Sequence, residues 1–180
     1  MIPDGYDHWY RVEPYTHSMR TWLQATDHYL GNAPPGAMFA VAVRTLCSGL
    51  FGAVPAGELL GVVLVGRPIA RMLPQDGTVG QILRMWLAPG LPHGTASEAL
   101  RFTIWSAAAR GIRRLITYHD RSVHTGCCYR KAGFRRAGVT RPSPTGWASR
   151  SGRRSHDAGS TSKRCWVYEI APAGAAWRPA

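Results

Sequence analysis

In the stretch Cys127 to Gly138, CCYRKAGFRRAG, a tyrosine stands four residues ahead of a glycine-phenylalanine pair. A phenol one helical turn before such a stop can give its proton to a departing group, or its ring can simply pack against the next strand. A second stretch, PHGTAS (Pro92 to Ser97), runs straight into a helical pattern. Free backbone N–H groups and the positive end of a helix dipole would face that loop, a setting suited to diphosphate. His93, Gly94, Thr95, Ala96 and Ser97 are therefore candidate binding residues, although Thr95 or Ser97 serves equally well as a plain N-cap. Asp120 follows the apolar run RRLITY, at the strand end where α/β sheets hold ligands, and can take a proton or cap its own loop. Arg84 alternates with Ile82 and Trp86 on an expected strand face, where its guanidinium needs a carboxylate or phosphate, or must reach water. His28 and Tyr29, after the first helix, can stack on a base or stand as ordinary helix residues.

Alternating elements must position these groups. The spacing predicts a helix over 16–30, strands over 38–43, 58–70 and 78–87, a helix over 95–110, a strand over 113–118, a helix from Cys127, a strand from Phe134 and a last strand over 164–170. PQDG (Pro74 to Gly77) is turn chemistry and joins two of the strands as an antiparallel pair. The order implies an α/β fold with a mixed central sheet flanked by helices, organised as one domain over 1–180 with its core at about 16–140.

Charge points to the partner. Lys and Arg outnumber Asp and Glu by 22 to 10, nearly all of the excess being Arg, whose planar fork suits phosphate. Eight basic residues against the single acid Asp157 lie from Arg135 to Arg164, much of it a Ser-, Gly- and Pro-rich stretch over 140–163. Trp147, Arg150, Arg153, Arg154 and Lys163 in that loop suit phosphate contact and base stacking, and a solvated insertion is the other reading. The cysteines Cys47, Cys127, Cys128 and Cys165 lack zinc-site spacing and read as reduced core or near-core thiols. No spacing gathers His28, His119, His124 and Asp120 into a metal site, so no metal is expected. There is neither a membrane span nor a signal peptide, which points to the cytoplasm.

From Met38 to Gly138 the sequence resembles the GNAT superfamily of acyl-CoA-dependent transferases: LRMWLAP, PGLPHGTAS and its helix, RRLITY, and CCYRKAGF, which is similar to that superfamily's tyrosine–glycine–phenylalanine ending. The resemblance implies a GNAT-like fold, a loop that holds the diphosphate of acetyl-CoA or another acyl-CoA, and Tyr129 as the acid that protonates the departing thiolate. His93 to Ser97 replaces the superfamily's usual glycine run. The segments Arg84 to Leu87, Pro92 to Ser97, Thr117 to Asp120 and His124 to Tyr129 look like the phage Mom family, which modifies adenine in DNA. That likeness implies a DNA-binding transferase with a carbamoylmethyl-type product on adenine N6, in a phage or prophage setting with an anti-restriction role. Asp120 and Arg84 would join Tyr129 in catalysis. Two further classes stay open: a general N-acetyltransferase on a small amine, protein or aminoacyl-tRNA, and a non-catalytic nucleic-acid-binding protein on the same scaffold.

Overall fold

The computed structural model describes residues 8–28, 33–46, 56–70, 72–140 and 162–171. Their elements run β1 (His8–Glu13), α1 (His17–Gln24), β2 (Phe39–Thr45), β3 (Leu59–Gly66), β4 (Val79–Leu87), α2 (Thr95–Ala108), β5 (Arg114–Asp120), α3 (Cys127–Lys131), β6 (Arg135–Val139) and β7 (Lys163–Glu169). The expected order is present with one addition, β1, whose HWYRVE carries too many polar residues to show an apolar period. Tertiary pairing makes it a strand: it lies antiparallel to β2, the Trp9 indole donates to the Thr45 carbonyl at 2.8 Å, and Arg44 grips both Glu13 carboxylate oxygens at 2.6 Å. Helix α1, capped by the Thr16 hydroxyl, ends at Gln24 rather than Leu30. Thr26 Oγ1 bonds back to the Leu23 carbonyl at 2.7 Å and the Trp86 indole donates to Asp27 at 2.8 Å, so the chain is drawn off the helix and across β4.

The described strands form one mixed sheet in the order β1-β2-β3-β4-β5-β7-β6. Every neighbouring pair is antiparallel except β4 and β5. Central β3, LLGVVLVG, is covered on both faces, which is why it reads as an unbroken apolar run. One face carries α2 and α3, packed through Leu100, Ile104, Tyr129 and Ala132 onto Val41, Val63, Ile82 and Leu115. On the other face, α1 buries Met19 and Leu23 against Ala40, Val62 and Leu64.

One irregularity corrects the expected placement of Arg84. Leu64 pairs with Arg84 but Val65 pairs with Ile82, leaving Leu83 as an extra residue in β4. Such a bulge shifts the side-chain alternation by one. Ile82 consequently packs toward α2, while Trp86 packs toward α1. Arg84 shares the parity of Trp86, so it sits on the α1 face and not beside Ile82.

Candidate active site

Strands β4 and β5 run parallel, and their pairing spans only Val79 to Ile82 against Arg114 to Thr117. Because β4 continues to Leu87 and β5 to Asp120, the two part beyond the bulge and leave a crevice at their carboxyl ends, where open sheets bind ligands. The loop after β4 leads into α2, so the start of that helix stands at the mouth of the crevice. Tyr10 of β1 fixes this first turn, donating to the Glu98 carboxylate at 2.7 Å; burial first, and then that carboxylate, push its phenol well above the usual range.

The start of α2 has no side-chain cap. Its N-cap is Gly94, and the two hydroxyls that sequence offers as caps are turned to carbonyls: Thr95 Oγ1 donates to Pro92 and Ser97 Oγ to Gly94, both at 2.8 Å. Thr95 N–H bonds the Pro92 carbonyl and Glu98 N–H begins the helical ladder at Gly94. The N–H groups of Ala96 and Ser97 therefore have no acceptor among the described residues, as an anion site requires. Basic groups stand around them: Lys131 Nζ lies 3.2 Å from exposed His93 Nε2, and Arg101 donates to the Lys131 carbonyl at 2.8 Å.

On the α2 face, the β5 and α3 sides of the crevice are aromatic. Tyr129 is 6% exposed, and its ring centroid lies 5.8 Å from those of His119 and Trp166 and 5.9 Å from that of Phe134. Its ring is thus core packing, with the helix stopping at Gly133 and the Phe134 N–H returning to the Tyr129 carbonyl at 2.9 Å. His119 is buried at 1% exposure and accepts the Trp166 indole N–H on Nδ1 at 2.7 Å. Burial, then the nearby His124, Arg164 and Arg121, lower its pKa against the opposing pull of Asp120.

The α1 face of the same strand ends gathers charge. Asp120, the last residue of β5 and buried, holds the Ser122 N–H at 2.9 Å and the Ser122 hydroxyl at 2.6 Å with one carboxylate oxygen, so it does cap its own turn. In register with it stands Lys163, whose pKa is lowered by burial and by the Arg84 charge. Burial, followed by Arg84 and His124, drives His28 down to about 4, so this imidazole is neutral at pH 7. His124 is lowered by its own burial, with Asp120 opposing. The fold therefore brings His28, Arg84, Asp120, His124 and Lys163 into one electrostatic group that no sequence spacing reveals. Among the described residues no three His, Cys, Asp or Glu side chains meet as a metal site.

No protein-family model matches the sequence, and no curated protein matches it either. Solved structures do. A GNAT-family putative acetyltransferase from Desulfovibrio desulfuricans superposes with a TM-score of 0.57 at 14% identity, covering 92% of this chain and 100% of that one. The IAA acetyltransferase from Bacillus cereus gives 0.56 at 12% identity, over 91% and 100%. A GNAT-family acetyltransferase from Elizabethkingia anophelis with acetyl-CoA bound gives 0.55 at 14% identity, over 89% and 98%. The fold is that of the GNAT acetyltransferases.

Within this GNAT fold, His93 to Ser97 lie at the start of α2 and Tyr129 packs on the α2 face, while Arg84, Asp120 and Lys163 stand on the α1 face of the strand ends with His28 coupled to Arg84. Tyr29, Trp147, Arg150, Arg153 and Arg154 lie outside the described residues, as does Cys47. Of the remaining thiols, Cys127 is exposed rather than near-core, and the Thr125 hydroxyl lowers its pKa, whereas burial pushes Cys128 up to about 11. Sequence reasoning missed His119 and Trp166 as a bonded pair. One signal was present: His119 falls in phase with Leu115 and Thr117, the inward positions of β5, where a polar ring needs a partner. No helix among the described residues is long and apolar enough to cross a membrane.

Proposed function

We propose that this chain is an acyl-CoA-dependent transferase that moves an acyl group onto an amine. The observation that carries the reading is the uncapped start of α2 at the mouth of a crevice between parting parallel strands, in a fold whose solved relatives are acetyltransferases, one with acetyl-CoA bound. The residues fit such a donor: the Ala96 and Ser97 N–H groups for the diphosphate, with Lys131 and Arg101 adding positive charge and the His93 ring beside Lys131. When bound, acyl-CoA supplies an electrophilic thioester carbonyl and a thiolate leaving group. Asp120 takes the proton from the attacking amine, and the Tyr129 hydroxyl gives one to the departing sulfur. Arg84 orients the acceptor from the α1 face. Calorimetry with acetyl-CoA, followed by thiol release across a panel of small amines, peptides and nucleic acids, tests the reading. Failure of acetyl-CoA to bind at about 1 mM, the upper end of ordinary Michaelis constants, overturns it.

A second reading takes adenine N6 in DNA as the amine. Its support is the net charge of +12 and the place from which the basic segment leaves the sheet. Thr140 and Lys163, which bound that segment, are bonded at 2.8 Å, and Lys163 stands in register with Asp120. Adenine N6 is delocalised into its ring and hidden in a duplex, so the base must be flipped or single-stranded. A carbamoylmethyl product, joined through a methylene, needs a donor other than a thioester carbonyl. Mass spectrometry of nucleosides from treated DNA decides whether any adenine adduct forms. Neutralising Arg150, Arg153 and Arg154 together is expected to lower the slope of log affinity against log salt by roughly 0.9 for each phosphate the protein no longer neutralises. An unchanged slope counts against this reading and leaves the general N-acyltransferase standing.

A further inference from the structure

His119 has one ring nitrogen committed and the other buried without a partner among the described residues. The Trp166 indole can only donate, so the 2.7 Å bond to Nδ1 requires a lone pair there and leaves the proton of the neutral ring on Nε2. Among the described residues that Nε2 has no hydrogen-bond partner, although the side chain is almost wholly buried. An orphaned buried donor costs about 1–3 kcal/mol, which a fold does not carry without a compensating role. The direction of the free N–H follows from the sheet. Trp166 belongs to β7, which flanks β5 on the side away from β4. The two nitrogens of an imidazole point in nearly opposite directions, so Nε2–H is turned away from the Trp166 indole. His119 also lies two residues beyond Thr117, the last residue of β5 paired with β4, at the level where the two strands have parted. Tyr129 stacks on the ring, and Gly126 lies so close that a Cβ there would fall 2.5 Å from His119 Cε1, which holds the imidazole in this one orientation.

We propose that His119 Nε2–H donates a hydrogen bond to a carbonyl oxygen on the pantetheine–thioester arm of the bound acyl donor. Trp166 is then a positioning residue, since it selects the tautomer that makes this donation. The proposal rests on the acyl-CoA reading above, and its test separates the two. Protein labelled with ¹⁵N-histidine is titrated with CoA and with acetyl-CoA while the ring nitrogens of His119 are followed by NMR. Affinities of both ligands for wild type and His119→Phe are measured by calorimetry. The free protein is expected to show a neutral ring protonated on Nε2, and ligand is expected to shift the Nε2–H signal and slow its exchange. His119→Phe is expected to weaken binding about threefold to tenfold, the effect of one neutral hydrogen bond. A loss for both ligands assigns the bond to a pantetheine amide, and a loss for acetyl-CoA alone assigns it to the thioester carbonyl. No binding to wild type overturns the acyl-CoA reading itself. Binding to wild type with an unmoved Nε2–H signal, or a ring protonated on Nδ1, overturns the role of His119 alone. That NMR outcome holds even where His119→Phe does not fold.

Discussion

Replacing Gly126 by alanine tests how tightly the His119–Trp166–Tyr129 cluster is packed. Gly126 has φ +73°, and a Cβ there would lie 2.5 Å from His119 Cε1, 2.8 Å from Trp166 Cζ2 and 3.1 Å from His119 Nδ1. Two costs combine: about 1–2 kcal/mol for a left-handed non-glycine residue, and about 1–3 kcal/mol for forcing extra volume into a packed site. Gly111 provides the control, because its φ of +76° is nearly the same while no described residue lies within 4 Å of its would-be Cβ. Gly111→Ala should therefore carry the backbone cost alone, and the gain from a stiffer unfolded chain is common to both variants. Urea denaturation should place Gly126→Ala about 2–5 kcal/mol below wild type and about 1–3 kcal/mol below Gly111→Ala, with unchanged m-values. Equal destabilisation of the two variants would refute the packing argument, since the difference between them isolates the contact with His119 and Trp166.

The Tyr129 hydroxyl is tested by Tyr129→Phe, which keeps the buried ring; acyl transfer should fall by about 10²–10⁴ with little change in Tm, whereas Tyr129→Ala should lose about 3–5 kcal/mol of stability. A fully active Phe variant would leave the tyrosine as core alone. The Arg44–Glu13 pair predicts a pH effect: the Arg44 hydrogen bonds hold the Glu13 pKa below its ordinary 4.5, so the stabilisation is complete above that value and disappears as pH falls through the lowered one. Glu13→Gln should accordingly cost about 1–2 kcal/mol at pH 7 and converge with wild type in acid, as read by denaturation at a series of pH values.

Much of the fold was written locally. The β-branched run of β3, the inward spacing of Leu100, Ile104 and Ala107 in α2, and the stop at Gly133 each follow from periodicity and turn chemistry within a few residues. Where local signals failed, a distant partner decided. Strand β1 exists through its ladder with β2 and the grip of Arg44 on Glu13, and α1 ends early because Asp27 is held by Trp86 from β4. The bulge at Leu83 has no signature in ILR or its flanks, yet it moves Arg84 to the opposite face of the sheet.

The sequence by itself determined the GNAT-like order of strands and helices, the loop that begins α2, and the tyrosine ahead of Gly133, since these depend on contacts between near neighbours in the chain. Only the tertiary structure decided what those residues face. Thr95 and Ser97 could have capped α2, and their hydroxyls turn to loop carbonyls instead. His119 could have been any inward strand residue, but an indole 47 positions away fixes its tautomer and leaves its other nitrogen buried. His28, Arg84, Asp120 and Lys163 come from four separate segments, and only the parting of β4 from β5 gathers them. Hydrogen bonds and charges act over a few ångströms of space, and the chain's own spacing does not record which distant residues will share it.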